Sequence, residues 1–86
     1  MFKLGDLYAT PGVLEETTTI ERFEALQRHL SKDWGDVCEE DWELNDEAVE
    51  MGYRILSAYT TKEDIRFWVI TEADRSATTI LLPDEY

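Results

Sequence analysis

Between Tyr53 and Pro83 the chain carries three short runs that leave little choice of structure. They read Tyr-Arg-Ile-Leu-Ser-Ala-Tyr (53–59), Arg-Phe-Trp-Val-Ile-Thr (66–71) and Ala-Thr-Thr-Ile-Leu-Leu (77–82). Each is rich in β-branched and aromatic residues, and polar turn residues separate them at Thr60–Asp64 and Glu72–Ser76. Such runs predict strands, and their close succession predicts a three-stranded antiparallel meander. A sheet of this size needs one face covered, so the residues before Tyr53 are expected to supply the cover. In the second run Phe67 and Val69 oppose Trp68 and Ile70, making both faces apolar. Helices on one side and a partial cover on the other, from a second subunit or a partner, would accommodate that.

The preceding segment divides into helices. Lys3–Ala9 reads as a short edge strand. Thr10-Pro11 then suits an N-cap followed by a first helical residue, giving a single turn over Val13–Glu16. Thr18 and Glu21 have the spacing of a capping box, and Ile20, Phe23, Leu26 and Leu30 recur on one face of a helix running to about Ser31. Asp36 is a candidate cap for a second long helix, Val37–Met51, closed by Gly52. Its apolar residues form two adjoining arcs, Val37/Leu44/Ala48/Met51 and Cys38/Trp42/Val49. Glu39, Glu40, Glu43, Asp46, Glu47 and Glu50 fall on the opposite side, with no Lys or Arg among them. Like charges at i,i+4 cost a few tenths of a kcal/mol per pair, so packing of the apolar arcs must hold this helix. Asp41 and Asn45 lie between the arcs, where an unpartnered carboxylate would be costly. The expected fold is therefore a single α+β domain over residues 1–86: two main helices packed on a three- to four-stranded antiparallel sheet.

Composition narrows the functional classes. Twenty acidic residues against eight basic ones give a formal net charge of -12. Phosphate backbones and anionic membranes require basic surfaces, so direct binding to either is disfavoured, whereas a basic protein surface would be attracted. No apolar run reaches the ~18 residues of a membrane span, and Met-Phe-Lys-Leu-Gly-Asp lacks a secretory apolar stretch. The lone Cys38 cannot form an internal disulfide. A cytoplasmic setting is expected.

Asp33-Trp-Gly-Asp36, Glu40-Asp41 with Asn45, Arg54-Ile-Leu-Ser-Ala-Tyr59 and the run from Trp68 to Pro83 resemble a family of small uncharacterised bacterial proteins labelled hypothetical or plasmid-related. The resemblance covers most of the chain from His29 onward. It implies a bacterial host and a link to mobile elements, and it carries no established activity.

Two functional constellations stand out. His29, Asp41, Asn45 and Arg75 are of the types that perform acid-base work or ligand binding, provided the fold brings them together. Arg75, in the turn Glu72–Ser76, is a candidate partner for Asp41 or Asp74, and His29 on the flank of its helix is a candidate boundary residue. No paired zinc spacing, calcium loop, phosphate loop or nucleophile elbow occurs, so neither a metal nor a cofactor is expected. The second constellation is the acidic helix face. A charge run is ordinarily a solvated face. Regular carboxylates on a rigid rod also resemble the phosphates that a nucleic-acid-binding enzyme reads. The leading expectation is thus a non-enzymatic module for a basic partner, with nucleic-acid mimicry as its specific form. A small enzyme or ligand-binding protein, and a structural homodimer joined through the second sheet face, are the alternatives.

Overall fold

The computed structural model describes residues 2–86. In chain order the elements are β1 (Asp6–Ala9), α1 (Pro11–Glu16), α2 (Thr19–Leu30), α3 (Glu39–Met51), β2 (Ile55–Thr60), β3 (Arg66–Thr71), β4 (Ala77–Leu81) and a 3-10 turn at Pro83–Glu85. The fold is α+β, and β2, β3 and β4 form the expected antiparallel meander.

The sheet is mixed rather than purely antiparallel. Its order is β1-β4-β3-β2, with β1 parallel to β4. Parallel pairing needs a long crossover, and all three α-helices and two strands intervene between β1 and β4. The first strand is also shorter than Lys3–Ala9. Gly5 adopts φ +68°, and a Cβ there would lie 2.4 Å from the Ser76 carbonyl carbon, so only glycine lets the chain swing in against β4.

Local signals explain the helix ends. Pro11 starts α1, and the expected capping box at Thr18 and Glu21 opens α2 with both reciprocal hydrogen bonds. Thr10 caps α1 by backbone alone. Its hydroxyl donates instead to Glu85, whose carboxylate also accepts from the Gly12 and Leu82 amides and ties the C-terminal turn to α1. Gly52, at φ 78°, closes α3. That helix begins at Glu39 rather than Val37, because the Asp36 amide donates to the Ala58 carbonyl and holds the preceding segment against β2.

The buried stripe of α2 differs from the expected one. Ala25 and His29 are its buried residues, while Ile20 and Phe23 are 70% and 59% exposed. Leu26 and Leu30 lie at the edge of the stripe and are half-buried. Small Ala25 allows close approach of the helix to the sheet, and the stripe is rotated toward His29 as a result.

The helix-facing side of the sheet holds two apolar clusters. One comprises Val13, Ala25, Tyr59, Phe67, Val69 and Ile80, and the other Phe2, Trp34, Ala48 and Ile55. On the opposite side Ala58, Ile70 and Leu81 are buried, and the chain supplies part of their cover itself. The Tyr86 ring meets Trp68 edge-on at 5.8 Å, and the Arg54 guanidinium sits 5.5 Å over it while donating to its hydroxyl.

Candidate functional site

His29 occupies the junction of the two apolar clusters and has no exposed surface, so it is a core residue and not a boundary one. Its Nδ1 lies 2.5 Å from the Ser57 hydroxyl and its Nε2 2.9 Å from that of Thr71. Thr71 is 2.7 Å from Thr78, whose hydroxyl donates to the Leu4 carbonyl. Each hydroxyl has one proton, which fixes the polarity of the whole chain. Thr78 donates to Leu4, so Thr71 donates to Thr78 and accepts from His29 Nε2–H. Ser57 then donates to Nδ1. The neutral Nε2–H tautomer is therefore the only one that satisfies every member.

The surroundings reinforce that state. Phe2 and Trp34 meet the imidazole edge-to-face at 5.3 and 5.5 Å. Burial, with a smaller contribution from the Arg75 charge, pushes the His29 pKa down from 6.5 to about 4. Ser57 and His29 have the separation of a nucleophile and its base, but both are wholly buried, as are Thr71 and Thr78. The cluster joins α2 to the sheet and presents no atom to a substrate.

The structure does not assemble the acid-base site expected from His29, Asp41, Asn45 and Arg75. No hydrogen bond or ion pair links any two of them among the described residues. Asn45 is buried and clamps the backbone of β2, donating to the Leu56 carbonyl at 2.7 Å and accepting from the Leu56 amide at 3.2 Å. Asp41, expected on the buried side, is exposed and lines an open hollow of about 250 Å³ with Leu44, Asn45, Arg54 and Leu56. Its position in the first turn of α3 turns it outward. Arg75 pairs with neither Asp41 nor Asp74. Its guanidinium donates to the carbonyls of Tyr53 at 2.6 Å and Ala48 at 2.8 Å, binding the negative end of α3.

On the acidic face, Glu39, Glu40, Glu43, Glu47 and Glu50 are all exposed. Asp46 departs from the group. It is half-buried and accepts from the Trp34 indole at 2.9 Å, so it anchors the core tryptophan and is not part of the outward array. The five outward carboxylates span about 16 Å of helix at 1.5 Å per residue. Among the described residues the one ion pair is Arg28–Asp33, so these five are unneutralised. Cys38 is exposed and free, and no group of three or more His, Cys, Asp or Glu side chains among the described residues could hold a metal. Among the described residues no helix is long and apolar enough to cross a membrane.

Sequence reasoning missed Ser57, Thr71 and Thr78. Their signal was present: polar residues at inward positions of otherwise apolar strands require a buried partner, and His29 is the one chemically suited to several hydroxyls. Comparison with protein-family models, with curated proteins and with solved structures finds no match to this chain.

Proposed function

We propose that this protein is a non-enzymatic interaction module that binds a basic protein surface through the exposed face of α3. The observation that supports this is the geometry of Glu39, Glu40, Glu43, Glu47 and Glu50 on one helical rod, all exposed and, among the described residues, none in an ion pair. At 1.5 Å rise per residue their mean axial spacing is about 4 Å, against about 3.4 Å per phosphate along one DNA strand. A surface that recognises phosphates by charge would accept such a row, so the partner is a nucleic-acid-binding enzyme and the module acts as a mimic of its substrate. The resemblance to plasmid-related proteins favours a bacterial, mobile-element setting, in which an inhibitor of a host nuclease would be of use.

The test is a pull-down from bacterial lysate, eluted by a salt ramp, with the wild type and with Glu39→Lys/Glu43→Lys/Glu47→Lys. A basic nucleic-acid enzyme is expected on the wild type, released by modest salt and displaced by duplex DNA. It is absent from the charge-reversed protein, whose circular dichroism confirms the fold. Retention of every partner by that variant at low salt overturns the reading.

A further inference from the structure

The two edges of the sheet are finished differently. Along the outer edge of β2, Asn45 takes both the amide and the carbonyl of Leu56. The Ala58 amide donates to the Trp34 carbonyl at 3.1 Å and its carbonyl accepts from the Asp36 amide at 2.7 Å. Thr60 adds a side-chain bond to Asp36. No further strand can pair there.

At β1 the opposite holds. The Asp6 amide donates to the Ser76 carbonyl and the Thr10 amide to the Ile80 carbonyl, which places the even-numbered residues toward β4. The amides and carbonyls of Leu7 and Ala9 consequently point away from the sheet. Leu7 and Tyr8 are each 55% exposed. Their side chains leave opposite faces, with Leu7 on the helix side in register with Thr78, and Tyr8 on the other side in register with Thr79. Asp6 shares the Tyr8 face.

We infer that β1 is a docking edge for an extended segment of the basic partner, added as a fifth strand. This inference rests on the partner reading above and specifies the segment. Backbone pairing comes from Leu7 and Ala9, and side chains select the sequence. An apolar residue packs beside Leu7, while the residues flanking it, on the opposite face, are Lys or Arg directed at Asp6 and the Tyr8 ring. The recognised pattern is therefore basic–apolar–basic. A second copy of this chain fits poorly, because each carries a formal net charge of -12 and antiparallel pairing would bring two Asp6 carboxylates into one short ladder.

The probe is an acetylated heptapeptide of alternating lysine and valine, with a glutamate–valine counterpart, titrated into ¹⁵N-labelled protein. Expected are shift changes and slowed exchange at the Leu7 and Ala9 amides with the cationic peptide alone. Leu7→Pro deletes an outward amide without touching a β1–β4 hydrogen bond and should weaken binding at least about tenfold. Should that variant fail to fold, Leu7→Lys keeps the backbone and repels the cationic strand to similar effect. Binding that perturbs only α3 and survives both substitutions overturns the docking edge while leaving the partner reading standing. No binding of the cationic peptide even at low salt removes both. Equal binding of the glutamate peptide, or concentration-dependent pairing of the protein through the same amides, overturns the basic segment as the occupant.

Discussion

Acid should destabilise this protein through one buried side chain. His29 titrates near 6.5 in the unfolded chain and at about 4 in the fold. Between those values the unfolded state binds a proton that the native state refuses, so stability falls as pH drops from 6.5 to about 4 and is intact above that window. A displacement of this size corresponds to about 3 kcal/mol, with roughly 2 kcal/mol already lost at pH 5. For a domain of this length, whose whole stability is about 4–13 kcal/mol, that is a large share. Other groups titrate nearby. Asp33 is held below the usual carboxylate range by Arg28, and protonating the carboxylates relieves their mutual repulsion. His29→Gln separates these effects, because a carboxamide still offers a donor and an acceptor but does not titrate. Urea denaturation at pH 7.5, 6, 5 and 4.5 should show the wild type losing about 2 kcal/mol more than the variant by pH 5. An NMR titration should place the imidazole midpoint below 5. Parallel stability profiles, or a midpoint near 6.5, would refute the buried neutral chain from Ser57 to Leu4.

Two further substitutions probe how the helices and the loop before α3 are fastened to the sheet. Asn45→Ala removes both hydrogen bonds from the half-buried amide and carbonyl of Leu56 and should cost about 1–3 kcal/mol by urea denaturation, with faster exchange of the Leu56 amide. Gly35→Ala should be more damaging, and poor yield of folded protein in a thermal melt is the expected readout. The added Cβ would fall 2.0 Å from the Ala58 carbonyl oxygen, at a φ of +75° that alanine disfavours.

How far the sequence announces this structure depends on the range of the interaction. The meander, the capping box at Thr18 and the stop at Gly52 are local signals, and each appears where periodicity and turn chemistry place it. The parallel pairing of β1 depends on Gly5 meeting Ser76, contacts some seventy residues apart, and no short window of sequence contains it. The same limit applies to side chains. Helical spacing puts Ile20 and Phe23 on an apolar stripe, but which stripe faces inward is decided by small Ala25 and by the hydroxyls awaiting His29 on β2 and β3. Asp46 looks like one more surface acid until Trp34 arrives beside it, and Asp41 shares the face of buried Asn45 yet stands exposed beside an open hollow in the first turn of the helix. The acidic face was the most legible candidate, because a row of glutamates without cations needs no distant contact to be recognised.

What the sequence does not disclose is where its few cations go, and that bears most on function. Arg22 donates to the Thr17 carbonyl, Arg66 to that of Asp36, and Arg75 to those of Ala48 and Tyr53, while Arg54 serves the Tyr86 hydroxyl. These arginines hold backbone and ring groups in place, and among the described residues only Arg28 pairs with a carboxylate. Four of the eight Lys and Arg side chains thus act as structural clamps on oxygens that carry no formal charge, and Glu39, Glu40, Glu43, Glu47 and Glu50 are left to face solvent. A chain of the same composition that paired its charges would present a surface of alternating sign and weak field. This one leaves five of its twenty acids along the outer face of α3, where a Debye length of about 8 Å sets the range over which they act. Because arginine is used on neutral oxygens, that row stays without an ion pair among the described residues.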